Sequence, residues 1–154
     1  MYIWNINALV SALKEDSFSE KQKKSYRITF WIIVAITVFS LPIVDNPFYM
    51  NKYDIIDFIC FIAINAIGLF VLLHMYKKGN NKEFFHPFIS LTIPIFLRYI
   101  LLFIILNVIG YNIIFPLIPY FSLDETNLMD LIISIAVEIF YNLMFIHYFK
   151  KIFN

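Results

Sequence analysis

The stretch FHPFISLTIPIFLRYILLFIILNVI, residues 85–109, decides how this chain is to be read. It carries one formal charge, Arg98, near its centre. A helix rises about 1.5 Å per residue, so roughly 20 apolar residues cross the ~30 Å hydrocarbon layer of a bilayer. Working outward, comparable apolar runs occupy about 28–45, 55–76 and 128–149. The expected fold is an all-α membrane protein: a four-helix transmembrane bundle with an N-terminal amphipathic interfacial helix.

Composition supports this reading. Of 154 residues, 61% are hydrophobic and 15% charged, with a mean hydropathy of +0.76. A soluble domain is roughly 45–50% apolar, and a chain this short could not hide such an excess from water. The net charge of +1 gives no basic field for nucleic acid. Cys60 is the only cysteine. It rules out an intrachain disulfide or a cysteine zinc cluster, and its apolar surroundings point to packing.

Residues 1–27 form a basic lead and residues 28–154 the membrane domain. Ile3, Ile6, Val10 and Leu13 recur at helical spacing beside Tyr2 and Trp4. Such a helix can lie in the membrane interface, or pack on the protein itself. Ser19-Glu20-Lys21-Gln22 has the form of a capping box and predicts a helix start. Trp4, Lys21, Lys23, Lys24 and Arg27 are the candidate membrane-surface residues, with anionic lipid headgroups as their partner. The first apolar run ends without a small-x-small pattern, so no cleavable signal peptide is expected.

The charges alternate between the runs. Lys14, Lys21, Lys23, Lys24, Arg27, Lys77, Lys78, Lys82, Lys150 and Lys151 fall on one side, and Lys52 is the only basic residue on the other, with Asp45, Asp54, Asp57, Asp124, Glu125 and Asp130. The positive-inside bias puts both termini in the cytoplasm, in a cell inner membrane. Asp54 reads as the N-cap of the second span, and Ser122-Leu123-Asp124-Glu125 as a capping pattern before the fourth. Residues 111–121 are apolar with two prolines, which suits the outer interface or a lid over a cavity.

Arg98 and Glu138 lie near the centres of the third and fourth spans. A charge there costs roughly 2.5–3.5 kcal/mol on insertion scales, so each needs a partner. Antiparallel spans bring the two to similar depth, and an Arg98–Glu138 contact is expected, direct or through water. Asn65, Thr37, Asn142 and Ser134 belong to the same midplane layer. Asp130, Ser134, Glu138 and Asn142 form a four-residue stripe; Thr29, Thr37 and Ser40 share a face; Ala63, Ala66 and Gly68 permit close helix approach. Pro94 can kink the third span one turn before Arg98.

His74, His86 and His147 fall near the basic boundary on different helices, without the spacing of a metal site. With three glycines and no G-x-S-x-G, H-E-x-x-H or phosphate loop, no enzyme and no cofactor are expected. The leading expectation is a small membrane scaffold, sensor or accessory subunit acting by association, as a homo-oligomer or with a membrane partner protein. The alternative is a homo-oligomeric transporter, channel or membrane-disrupting defence effector that uses the midplane charges. Helix number and a membrane-embedded glutamate resemble the small multidrug-resistance transporters. Their essential glutamate lies in the first span and Glu138 in the fourth, so the family is not assigned. The abundance of Ile, Asn, Phe and Lys suggests an AT-rich bacterial genome.

Overall fold

A computed structural model describes residues 2–44, 50–78, 83–114 and 125–153, the side chains of 40–44 excepted. The described chain is helical, with α1 Ile6–Lys14, α2 Glu20–Val44, α3 Lys52–Lys78, α4 Phe85–Ile109 and α5 Leu128–Phe153. A π-helical turn, Gly110–Ile114, extends α4.

Three helices are long and apolar enough to cross a membrane: α3, α4 with its π-turn, and α5. This is compatible with a membrane protein. The far end of the first expected span lies outside the described residues, as do Gly79, Lys82, Asp45, the Ser122–Asp124 cap and most of the 111–121 loop.

The helix starts follow local chemistry. Ser19 and Gln22 form the expected box, Ser19 N donating to Gln22 Oε1 (3.0 Å) and Gln22 N to Ser19 Oγ (3.3 Å). The α3 cap is Asn51, three residues before the residue expected from sequence. Its Oδ1 accepts from the N–H groups of Tyr53 (2.7 Å) and Asp54 (3.2 Å), while Asp54 Oδ2 accepts from Asn51 N (2.8 Å). Helix α5 repeats this design: Asn127 Oδ1 accepts from Met129 N and Asp130 N, and Asp130 Oδ2 accepts from Asn127 N. Two Asn-x-x-Asp boxes therefore open the two helices, a variant of the Ser/Thr-x-x-Glu pattern with a shorter acid. Asp130 also accepts from the Tyr111 hydroxyl. It thus belongs to the helix end, not to a midplane stripe.

Helices α3 and α5 run parallel. Asn51 Nδ2 donates to Thr126 O (2.8 Å) at their starts, and the Tyr76 and Phe153 rings meet at 5.9 Å at their ends. Helix α4 runs antiparallel to α5, with Phe84 against Phe149 (5.5 Å), Phe88 against Phe145 (5.1 Å) and Tyr99 against Tyr141 (5.6 Å). Among the described residues the main packing pairs are α3–α5, α5–α4 and α4–α2, with α1 set against α4 and α5. Among the described residues the four long helices thus pack in the order α3–α5–α4–α2, with no comparable α2–α3 contact.

This layout brings Lys21–Arg27, Lys77, Lys78, Lys150 and Lys151 to one end, and Asp54 and Asp130 to the other. Most of α3 is outward-facing, with only Gly68 and Leu72 buried. Phe70 is 71% exposed and Ile67 65%, a surface that fits hydrocarbon and not water.

The buried core is concentrated at the basic end. Leu9 and Leu13 of α1 join Leu91 and Ile95 of α4, Phe145 and Phe149 of α5, and Tyr26 of α2. The apolar face of α1, expected to meet the membrane interface, is buried in the protein.

Replacing Asn127 by Ala removes the cap that α5 needs and should cost about 1 kcal/mol. Thermal unfolding in detergent micelles, followed by circular dichroism, should show a lowered midpoint. An unchanged midpoint would mean that the Asn-x-x-Asp box does not set this helix start.

Candidate functional site at the middle of the α3–α5 seam

Helical spacing puts Asp57, Phe61, Asn65, Gly68 and Leu72 on one face of α3, and Ser134, Glu138, Asn142 and Phe145 on one face of α5. At the middle of this seam Asn65 Nδ2 donates to Glu138 Oε2 (3.1 Å) and to Phe61 O (2.9 Å). Asn142 Nδ2 donates to Asn65 Oδ1 (3.4 Å) and to Glu138 O (3.1 Å). Both N–H bonds of each amide are therefore used. Glu138 is 6% exposed.

Helix α4 completes the site with Tyr99, whose hydroxyl faces the Glu138 carboxylate, and Tyr141 stands beside it on α5. Neither tyrosine was identified from sequence. Nothing in their spacing marks them, and only the α4–α5 register shows that they share the depth of Glu138.

Gly68 sets the closeness of the seam. A Cβ at this position would strike the Asn142 side-chain amide, with Cγ only 2.8 Å away. Glycine is required here because a neighbouring helix occupies the place of its side chain. A cavity of about 200 Å³ lies beside the amides, lined by Asn65, Leu69, Leu72, Phe88, Tyr141, Asn142 and Phe145. It extends along the seam from the polar cluster toward the basic end.

Arg98 does not join this site. Its Nη1 donates to Pro94 O (3.0 Å) and its Nη2 to Trp4 O (2.7 Å), and it forms no ion pair with Glu138. The expected pair fails for a geometric reason. Helical side chains lean toward their own N-terminus. On antiparallel helices at one depth, Arg98 leans toward the basic end and Glu138 toward the acidic end.

Thr37 also stands apart. It lies on α2, exposed, and donates to Ile33 O of its own helix (3.0 Å). Ser134 is half-buried one turn from Glu138 and adds no hydrogen bond to the cluster. The structure therefore brings together Asn65, Glu138 and Asn142, and leaves Arg98, Thr37 and Ser134 outside.

At the basic end Lys21, Lys24 and Arg27 are exposed. Lys23 is engaged by Glu20 (3.3 Å) and Asp16 (3.6 Å), and the Glu20 hydrogen bond holds its ammonium above the usual lysine range. His74 and His147 are exposed, whereas His86 packs edge-on against Phe18 (5.3 Å). Two buried side-chain atoms lack a hydrogen-bond partner among the described residues, His86 Nε2 and Ser90 Oγ. No protein-family model, curated protein or solved structure matches the chain.

Gly68→Ala should displace the Asn142 amide and destabilise the α3–α5 contact by about 1–3 kcal/mol, the usual cost of overpacking. The double variant Gly68→Ala/Asn142→Ala should recover part of the loss, since the new methyl would meet the Asn142 Cβ at an ordinary 3.6 Å. Unfolding in mixed detergent micelles measures both. A Gly68→Ala protein as stable as the parent would show that the two helices are not packed this closely.

Proposed function

We propose that this is a small multi-pass membrane protein in which Glu138 is the working group of a proton- or cation-handling site, in a transporter or channel. The observation that carries the reading is the company of Glu138. Its hydrogen-bonding neighbours at mid-seam are amides and phenols, the charge that acts on it from α3 is another carboxylate, Asp57, and Arg98 is committed elsewhere. A carboxylate without a fixed counter-charge is balanced by a mobile one, a proton or a small cation. Ionisable groups retained within membrane helices commonly mark such pathways. A cavity adjoins the amides that hold Glu138.

The topology that goes with this reading has four spans, α2 being the first, and both termini in the cytoplasm of a bacterial cell with the protein in its inner membrane. The gathering of lysines at one end supports that orientation. Lys21, Lys24 and Arg27 would meet anionic headgroups there. No motif favours an enzyme.

The packing order α3–α5–α4–α2 favours a second reading, association. Helices α2 and α3 at its edges each keep a face free of the other described residues. A second copy or a membrane partner would fit there, as in a scaffold or accessory subunit. The two readings are compatible if the working unit is a homo-oligomer.

Reconstitution into liposomes holding a pH-sensitive dye tests the first reading. The wild type should collapse an imposed proton gradient. Glu138→Gln, which keeps an oxygen to accept from Asn65, should fold normally and lose at least about tenfold in rate. Equal rates for the two, or no flux from the wild type, would remove Glu138 from this role. Native mass spectrometry from lipid discs tests association separately, with a mass of two or more chains as the expected result.

A further inference from the structure

The segment before α2 carries its apolar face inward and Asn5, Asn7 and Ser11 outward. No residue from Tyr2 to Leu13 is charged. Ile6, Leu9, Val10, Ala12 and Leu13 are all buried, in a core that takes Leu91, Ile93 and Ile95 from α4 and Phe145, Phe149 and Ile152 from α5.

The contacts reach deep into α4. Arg98 is 98 − 85 = 13 residues from Phe85, about 20 Å along the axis, and its guanidinium leans back one turn to Pro94.

Several polar groups at the two ends of α1 have protein partners. The Tyr2 N–H donates to the Tyr26 hydroxyl (2.7 Å). The Trp4 carbonyl lies outside the helix and receives Arg98 Nη2 (2.7 Å). Asn5 Oδ1 caps Ala8 N (3.0 Å). At the far end Glu15 N donates to Ser11 O (2.9 Å), Ser17 N to Ala12 O (3.0 Å) and Ser17 Oγ to Ala12 O (3.3 Å). Asp16 turns the chain with φ 48°.

Local caps of this kind also close helices in water, so what bears on depth is the bond that is not local, from Arg98 to the Trp4 carbonyl. In hydrocarbon, non-helical backbone is tolerated only where the protein satisfies it. Trp4 itself is 76% exposed, an indole turned outward at the tip of this segment.

We infer that residues 2–14 are a re-entrant plug, seated within the membrane layer against α4 and α5, and that Arg98 is the latch that holds its tip there. The arginine and the plug satisfy each other. The guanidinium, too deep to reach water comfortably, finds carbonyl acceptors, and the Trp4 carbonyl finds a donor. This assignment is independent of any role for Glu138.

A protein with Trp31→Phe keeps Trp4 as its only tryptophan and reports the depth of the tip. In phosphatidylcholine vesicles, lipids brominated on the acyl chain should quench it strongly and aqueous iodide weakly. Efficient iodide quenching with little effect of acyl bromine would put the segment on the surface and overturn the proposal. Adding Arg98→Met should raise iodide quenching about twofold or more as the tip is released, with Arg98→Lys, which keeps a donor, in between. Unchanged quenching in Arg98→Met would overturn the latch. Should that variant fail to fold, the depth profile of the single-tryptophan protein and the response of Arg98→Lys still decide.

Discussion

In hydrocarbon a polar group must find its partner inside the protein, because no water is there to serve as the default. Much of the structure follows from that constraint. It accounts for the all-helical architecture, in which the backbone satisfies itself along each span. It accounts for Asn65 and Asn142 using both amide hydrogens on neighbouring groups, and for Thr37 and Asn107 folding back onto carbonyls of their own helices. It also accounts for Arg98, which closes on two backbone carbonyls and pairs with no carboxylate among the described residues.

The separation of Arg98 from Glu138 shows that depth alone does not decide pairing. Two residues at the same level on antiparallel helices have side chains that lean in opposite directions. Each is then served by what lies on its own side. For Glu138 that is the α3–α5 seam, opened by Gly68 and floored by tyrosines. For Arg98 it is the turn after Pro94 and the N-terminal segment. Two chemically separate centres result, one acidic and one basic, where a single ion pair was expected.

Three of the four expected spans were legible in the sequence because length and hydropathy are local properties, and the Ser19–Gln22 box because its residues are adjacent. The clustering of basic residues at one end followed from their alternation between runs. Asn65, Glu138 and Asn142 could be named from their central positions. What could not be read was lateral arrangement. A run of apolar residues has no preferred face, so nothing in it says that α2 packs on α4 and leaves α3 alone. Tyr99 and Tyr141 are indistinguishable from lipid-facing aromatics until α4 and α5 are in register. The cap of α3 was misplaced because Asn51-x-x-Asp54 was passed over in favour of its aspartate, and the matching box of α5 at Asn127 was not identified. The amphipathic α1 was placed, but its hydrophobic face could have met lipid or protein, and only the fold shows which.

The twin Asn-x-x-Asp boxes act as a common zero mark for two rulers laid side by side. Asn51 ties its helix to the start of the other through Thr126, and from that origin Asn65 and Gly68 on one scale must coincide with Glu138 and Asn142 on the other. One added residue within either interval would turn everything beyond it by about 100° and lift it about 1.5 Å. The glycine would then face away from the amide it accommodates. Chain length between the caps and the seam is consequently fixed to the residue, whatever liberty the connecting loops enjoy.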